Sequence, residues 1–235
     1  MAEEGKLHLI QLAGGKGQRV GDTSRDPKQF RETGRGPLFA VSLREFLKLE
    51  PADLVVVVPD DWMDRTTAVL QKLGLPFALA AAGASRTAST WHGLQVLEDK
   101  FHPGDQDLVA IHDAARPFAS ADLLKRLCQA AAKCGGAIPG VPVHDTIVEN
   151  GSAVARYLER GKLAAVQTPQ VFRWDILREA HVHAASTGAE FTDDGGLLAA
   201  RGAVPAVVPG EAGNWKVTTA EDWRQAATLL SRHTR

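Results

Sequence analysis

The chain has 235 residues, 44% of them hydrophobic and 23% charged, which suits a soluble globular protein with a substantial core. Its 27 Lys and Arg nearly balance 28 Asp and Glu, so the net charge of −1 excludes a global attraction to nucleic acid or anionic membrane, and any anion site must be local. Two cysteines are too few for a disulfide framework or a structural zinc site. No apolar run approaches the ~20 residues that span a bilayer, and the acidic opening MAEEGK is unlike a secretory signal. Together these observations favour a cytoplasmic protein.

Short apolar runs alternate with amphipathic stretches in the first half of the chain. Runs that are apolar on both faces are typical of strands buried in a parallel sheet, and they fall at 7–13, 54–59, 77–82 and 108–113. Helices are predicted over 37–50 and after three N-cap residues, Asp60, Ser85 and Ser120. Cys128 and Cys134 lie in the last of these helices, where we expect small buried side chains. The alternation predicts an α/β fold with a Rossmann-like, doubly wound, mostly parallel sheet.

The middle of the chain departs from this alternation. Asn150-Gly151 separates two β-compatible runs within 143–169, which is a strong hairpin signal. We therefore expect one domain, 1–235, with a projecting β-arm inserted at about 143–165. Helices near 173–187 and 193–201, strand-like AVPAVV and NWKV, and a helix from about Thr219 follow, with capping-box spacing between Thr218 and Glu221.

A glycine-rich loop, AGGKGQR, follows the first strand. A P-loop needs Ser or Thr after Gly-Lys, but Gly17 follows Lys16, and a dinucleotide fingerprint needs a small residue where Val20 stands. The remaining pattern is similar to the opening signature of nucleotidyltransferases. Absent side chains let backbone amides approach phosphate oxygens, and Arg19 and Lys28 supply positive charge. Taken alone, the loop is equally consistent with a surface turn whose cations are solvated.

Three distant segments agree with an anion site. HDAARP places Asp113 and Arg116 at the carboxyl end of a strand, where ligands of open α/β sheets bind and where a carboxylate can hold Mg²⁺. GASRTAS offers Gly83 for close approach and Ser89 as a hydroxyl, although Ser85 alone could be a simple helix cap. NWKVTTAED carries Lys216, which could equally protect an edge strand from aggregation.

With AGGKGQR, DPKQF, HDAARP, HDTI, QTPQVF, FTDD and NWKVTTAEDW in this order, the chain resembles the 2-C-methyl-D-erythritol 4-phosphate cytidylyltransferases from about residue 7 to about 230. The resemblance implies a Rossmann-like domain that forms homodimers through a β-arm. It also implies a reaction of CTP with methylerythritol phosphate, dependent on Mg²⁺ or another divalent cation, in the non-mevalonate route to isoprenoids.

The same resemblance implies a role for each matching residue. Arg19 and Lys28 would be the catalytic cations, and Asp113 would be the magnesium ligand. The nucleotide would contact Ala13, Gly14, Gly15, Gly17, Gly83, Ser89 and Lys216. The polyol phosphate would contact Arg116, Thr146, Arg160 and Thr192, with arm residues serving the neighbouring subunit.

Alternatives remain open at this point. Leu12, Gly14 and Ala84 depart from the family pattern near the base, and one sequence cannot separate methylerythritol phosphate from ribitol 5-phosphate as the acceptor. A non-catalytic nucleotide-binding regulator of the same fold is a further alternative. Against it, the chain retains all five charged site positions, which are Arg19, Lys28, Asp113, Arg116 and Lys216. His181 and His183 stand two apart, which puts them on different sides of a helix and favours a solvated face over a metal site.

Overall fold

The computed structural model describes residues 5–15, 26–151 and 154–231. Within these ranges the strands are β1 (Leu7–Leu12), β2 (Glu32–Thr33), β3 (Gly36–Pro37), β4 (Asp53–Val58), β5 (Phe77–Ala81), β6 (Leu108–Asp113), β7 (Gly136–Pro142), β8 (Val148–Asn150), β9 (Val154–Tyr157), β10 (Ala164–Val166), β11 (Gln170–Arg173) and β12 (Ala206–Pro209). The α-helices are α1 (Leu38–Phe46), α2 (Met63–Leu70), α3 (Arg86–Phe101), α4 (Ala121–Cys134), α5 (Trp174–Thr187), α6 (Asp194–Ala200) and α7 (Ala220–Ser231). The four strands predicted in the first half of the chain are all present within a residue or two of their expected ends.

A mostly parallel sheet forms the centre of the molecule. Its strand order is β10-β7-β11-β6-β1-β4-β5, with β12 parallel to β7 on the side away from β11. The parallel strands β5, β4, β1 and β6 stand in the order third, second, first and fourth along the chain, which is the doubly wound arrangement. The Rossmann-like α/β prediction is therefore confirmed.

The alternation of side chains along the central strands builds a core on each face of the sheet. Leu9 of β1 and Val56 of β4 pack on one face with the apolar sides of α1 and α4. Ile10 and Val57, one residue further along, pack on the other face with α3, α5 and α6. Because both faces are covered, these strands are apolar throughout, which is why the sequence reads as continuous apolar runs.

The predicted hairpin is present, but the chain after its turn forms two separate strands, β9 and β10. β8 and β9 pair antiparallel, with Val148 opposite Tyr157. The chain then makes a short 3-10 turn at Arg160–Lys162 and joins the main sheet as β10, antiparallel to β7. The predicted insertion at 143–165 thus ends inside the main sheet, and its projection as an arm stays a prediction.

Helix ends test the capping predictions. Ser85 and Ser120 accept hydrogen bonds from the amides of Ala88 and Leu123, so both predicted caps are confirmed. The cap at Asp60 is wrong, because a 3-10 turn begins at Asp60 and that side chain makes no cap.

Near the end of the chain, the capping box lies one residue later than expected. Thr219 Oγ1 accepts from the amide of Asp222, whose carboxylate accepts from the amide of Thr219. These bonds, together with those from Thr218, lower the pKa of Asp222 to about 2 in spite of the opposing effect of burial. The NWKV run is not a strand, and this predicted element is wrong.

The two cysteines do not both pack inside α4. Cys128 is half-buried, and burial raises the pKa of its thiol to about 12, while Cys134 is exposed at the end of the helix, contrary to prediction. In the part of the chain that the structure describes, no helix is both long and apolar enough to cross a bilayer.

Candidate active site

The sequence-distant segments meet at the carboxyl edge of the parallel strands. Leu12, the last residue of β1, stands directly opposite Asp113, the last residue of β6. The chain leaves β1 toward β4 on one side, while β6 lies on the other side, so this is the point where the strand order reverses. Crevices at such points bind ligands in doubly wound folds.

The described part of the glycine loop, residues 13–15, lies against the segment that follows β5. A methyl group at position 14 would lie 2.5 Å from Cβ of Ala82, which is too close for any side chain, and 3.8 Å from Oγ of Ser89. Gly15 is different, because a Cβ there would meet nothing within 4 Å. Gly14 is therefore required for packing, whereas Gly15 borders open space. Gly17 and Arg19 lie outside the described residues.

The Gly83–Ser89 turn is closed by its own hydrogen bonds. The hydroxyl of Ser89 donates to the carbonyl of Ser85 at 2.8 Å and accepts from the amide of Gly83 at 3.0 Å. A Cβ on Gly83 would lie 2.6 Å from Cβ of Ala88, so only glycine fits at this turn. Gly83 and Ser89, both predicted to contact the nucleotide, are thus bonded to each other and lie beside Gly14.

Asp113 ends β6 with two cations beside it. Its Oδ2 accepts a hydrogen bond from Nζ of Lys216 at 2.7 Å, and its Oδ1 lies 3.6 Å from Nε of Arg86. Burial alone would raise the pKa of this carboxyl, but the charges of Arg86 and Lys216 outweigh it and hold the pKa well below its usual range. The Lys216 side chain is 43% exposed and lies in a loop. Because Lys216 lies in a loop and pairs with Asp113, the alternative prediction that it protects an edge strand from aggregation is wrong.

Arg86 also links Asp113 to a second buried carboxylate, Asp194. Nη1 of Arg86 lies 2.8 Å from Oδ2 of Asp194, and Oδ1 of Asp194 bonds Nε2 of His181 at 2.9 Å. Burial would raise the pKa of Asp194, yet Arg86 and His181 lower it overall. Sequence reasoning missed Arg86, and the solvated face expected for His181 is wrong. A signal was available, because His181 falls on the same buried stripe of α5 as Leu177 and Ala184.

His112, which precedes Asp113 on β6, is a buried and packed side chain. Burial is the main cause that lowers its pKa, to about 4, so the ring is neutral near pH 7. Nε2 lies 2.9 Å from the carbonyl of Arg116, which only accepts, so Nε2 carries the proton. Nδ1 then accepts from the hydroxyl of Thr168 at 3.2 Å, and that hydroxyl accepts from the amide of Asp113 at 3.0 Å. The His112–Thr168 pair thereby fixes the backbone that carries Asp113.

Lys28 reaches the same edge from a short 3-10 turn at Lys28–Phe30. Its Nζ donates to the carbonyl of Val217 at 2.5 Å, directly beside Lys216. Arg116 borders this loop as well, since its Nη1 donates to the carbonyl of Asn214 at 2.8 Å. Lys28, a predicted catalytic cation, and Arg116, a predicted substrate residue, therefore both contact the loop 214–217 that carries Lys216.

The other predicted acceptor residues are less closely gathered. Thr192 is exposed and stands two residues before Asp194, on the turn where the amide of Phe191 donates to Oγ1 of Thr87 at 2.9 Å. Thr146 and Arg160 are exposed in the hairpin segment, where Nη1 of Arg160 donates to the carbonyl of His144 at 2.6 Å. Among the described contacts, none joins Thr146 or Arg160 to the cleft residues.

The donor set at Asp113 fits a magnesium ion that is shared with a substrate. No group of three or more His, Cys, Asp or Glu side chains within the described ranges could enclose a metal. One ionised, partly accessible carboxylate is what Mg²⁺ uses when substrate phosphates supply the remaining oxygens.

A glycine loop after the first strand, together with a carboxylate and two lysines at the carboxyl edge of a doubly wound sheet, defines an α/β nucleotidyltransferase. Comparison with known proteins makes this more specific. The sequence matches the family model described as IspD: 2-C-methyl-D-erythritol 4-phosphate cytidylyltransferase, over residues 7–232. The chain therefore belongs to this family.

Individual relatives agree with that assignment. The chain is 39% identical over 237 residues to a bifunctional enzyme IspD/IspF of Bradyrhizobium diazoefficiens, an alignment that covers 98% of this chain and 58% of that protein. It is similar to the crystal structure of 2-C-methyl-D-erythritol 4-phosphate cytidylyltransferase from Thermus thermophilus, with a TM-score of 0.76, 34% identity, and coverage of 97% and 99% of the two chains. The Francisella tularensis structure of the same description has a TM-score of 0.79 at 25% identity and covers 96% and 100%. The chain spans just over half the length of the curated relatives it matches.

Proposed function

We propose that residues 1–235 form one nucleotidyltransferase domain that transfers the cytidylyl group of CTP to 2-C-methyl-D-erythritol 4-phosphate. The products are 4-diphosphocytidyl-2-C-methyl-D-erythritol and pyrophosphate, and the reaction belongs to non-mevalonate isoprenoid synthesis in the cytoplasm. The observation that carries the proposal is the 2.7 Å contact of Lys216 with Asp113, at the edge where Gly14 packs beside Ser89. Membership of the cytidylyltransferase family supports the same conclusion.

The chemistry follows from charge. An oxygen of the acceptor phosphate attacks the α-phosphorus of CTP, a new P–O bond forms, and the bond to the bridging oxygen of the β-phosphate breaks, so that oxygen leaves with pyrophosphate. Two anions must approach each other, and negative charge accumulates on the transferred group. We assign the role of catalytic cations to Arg19 and Lys28. Nζ of Lys28 is held at this edge by the carbonyl of Val217, and a cation fixed in advance lowers the barrier because it needs no reorganisation.

Asp113 would hold the divalent cation, which supplies positive charge to the triphosphate when it is bound. Lys216 then has an alternative partner, because its exposed ammonium can leave the carboxylate for a phosphate oxygen. Arg86 is less free to exchange, since Asp194 holds its guanidinium at 2.8 Å.

We assign the acceptor to Arg116, Thr192 and the hairpin residues Thr146 and Arg160, with the hairpin completing the site of a second copy in a homodimer. Support comes from the lack of described contacts between the hairpin residues and the cleft of their own chain. Exposed Tyr157 on β9, 70% accessible, adds apolar surface suited to a partner.

The decisive experiment measures pyrophosphate release with CTP and Mg²⁺, with methylerythritol phosphate and ribitol 5-phosphate as competing acceptors. We expect turnover with the first and at most slow turnover with the second. Faster turnover with ribitol phosphate would make that compound the acceptor. CTP binding without turnover on either acceptor would support the non-catalytic regulator instead.

A further inference from the structure

A buried glutamine next to Lys28 holds the glycine loop by its backbone. The side chain of Gln29 is only 3% exposed. Its Nε2 donates to the carbonyl of Ala13 at 2.7 Å and to the carbonyl of Gly15 at 2.6 Å. Both hydrogens of one amide group are therefore used on the two carbonyls that flank Gly14.

These bonds decide which way the loop's polar groups point. The carbonyls of Ala13 and Gly15 point toward the amide group of Gln29, and the Cβ position of Gly15 borders open space. The amide of Ala13 is used by the carbonyl of Val57 at 2.8 Å. The amides of Gly14 and Gly15 make no hydrogen bond with another residue in the described ranges. Backbone donors left over in this way are what a phosphate-binding concavity requires.

Gln29 is itself held in a rigid turn. Its neighbour Phe30 stacks on Trp62 with ring centroids 4.2 Å apart, and it meets the edge of Phe39 at 5.6 Å. On the other side, Lys28 is bonded to the carbonyl of Val217. One turn of three residues thus joins the glycine loop, the aromatic core and the loop that carries Lys216.

We propose that Gln29 is a positioning residue for nucleotide binding: it presets the glycine loop so that its free amides face the triphosphate, in register with Lys28. This inference rests on the proposed function and deepens it, because it names the side chain that fixes the glycine loop before the nucleotide binds. Gln29 acts through the backbone and does not touch the substrate.

The chain offers a matched control. Gln11 is also a buried glutamine, 1% exposed, and its Nε2 donates to the carbonyl of Phe39 at 3.0 Å in the core. Gln11→Met and Gln29→Met each remove amide donors with little change in volume, so both lower the melting temperature. Only Gln29→Met should also weaken CTP, by about tenfold in Kd and in KM, because two bonds that order the loop are lost. The KM for the acceptor should stay unchanged in both.

Calorimetric titration of each variant with CTP and Mg²⁺, without acceptor, separates this inference from the proposed function. Wild-type protein that binds CTP but turns over neither acceptor would remove the proposed activity, while the Kd values would still test Gln29. An equal Kd in wild type and Gln29→Met, or an equal weakening in the Gln11 and Gln29 variants, would overturn the positioning role. If Gln29→Met does not fold, Gln29→Asn keeps the donors but cannot reach both carbonyls, and the same tenfold weakening is expected.

Discussion

The cleft and the hairpin segment differ in how their charged residues are held. In the cleft, Asp113 contacts Lys216 from 103 residues away, and Arg86 bridges it to a buried Asp194. In the hairpin segment the ion pairs are local and exposed, such as Arg156 with Glu149 at 3.2 Å and Lys162 with Glu159 at 2.8 Å. The cleft residues are therefore held by contacts between distant parts of one chain, whereas these hairpin residues are held by exposed contacts with near neighbours.

The largest expected effect is on stability and separates the two kinds of ion pair. Asp194→Asn should lower the free energy of unfolding by about 3–5 kcal/mol, because it leaves the charge of Arg86 buried with a weakened partner set. Glu149→Gln, which breaks the exposed pair with Arg156, should cost less than about 1 kcal/mol. Urea denaturation at pH 7 measures both.

The double variant Arg86→Gln with Asp194→Asn refines this result. Removing both charges of a buried pair together is much less destabilising than removing one, so the double variant should recover most of the lost stability. If the single and double variants are equally unstable, the pair is not the source of the effect. Similar losses for Asp194→Asn and Glu149→Gln would remove the distinction between cleft and hairpin.

The next effect is kinetic. Lys28→Ala should lower kcat by about 10²–10³ with the fold intact, because a cation fixed near the transferring phosphate is lost. We expect a loss of the same order for Arg19→Ala. Lys162→Ala, which removes an exposed lysine from the hairpin turn, should be close to wild type in kcat. Steady-state pyrophosphate release, with circular dichroism as a check on folding, measures this, and near-normal turnover of Lys28→Ala would exclude the catalytic role.

A mixing experiment tests whether the hairpin serves a second copy. Arg160→Ala is expected to be nearly inactive at low acceptor concentration, and Lys28→Ala is expected to keep only the residual kcat given above at any acceptor concentration. In a mixed dimer, the unmutated cleft of the Arg160→Ala chain would meet the unmutated hairpin of the Lys28→Ala chain. Subunit exchange in an equal mixture should then restore up to about one quarter of wild-type activity in a two-fold symmetric dimer. Absence of restored activity, with exchange verified by mass spectrometry, would place each hairpin at its own cleft.

The sheet and the position of the cleft could be predicted from sequence because buried parallel strands have a simple signature. Continuous apolar runs identified β1, β4, β5 and β6, and their carboxyl ends fixed where Asp113 had to lie. The interaction of Asp113 with Lys216 could not be predicted, because a loop of no regular structure carries the lysine. Periodicity indicates which face of an element is buried, but it carries no information about loops.

The supporting residues were missed for a different reason. Gln29, Arg86 and Thr168 act by hydrogen bonds or ion pairs with groups far away in sequence, and a polar residue in a turn or at a helix end is by default interpreted as solvated. The capping box shows the same limit at short range, since Thr218 with Glu221 and Thr219 with Asp222 have identical spacing. Only the actual start of α7 at Ala220 decides between them.

The smallest expected effect concerns His8, which lies near the amino end of β1, at the opposite edge of the sheet from the cleft. His8 is buried in β1 between two carboxylates, with Nδ1 2.8 Å from Oδ2 of Asp53 and Nε2 3.0 Å from Oδ2 of Asp107. Burial would lower its pKa, but the hydrogen bonds and charges of both carboxylates outweigh burial and raise the pKa above 6.5. The stabilisation is therefore complete below the unfolded-state pKa of 6.5 and is lost as the pH rises through the folded-state value.

His8→Gln keeps one possible bond, so it should cost about 1 kcal/mol at pH 6 and less at higher pH. Urea denaturation between pH 6 and pH 9, with exposed His183→Gln as the control, measures the difference. A difference from wild type that is constant or grows with pH would show that His8 is not held as a cation, while an unchanged kcat at pH 7 would show that the two ends of β1 have separable roles.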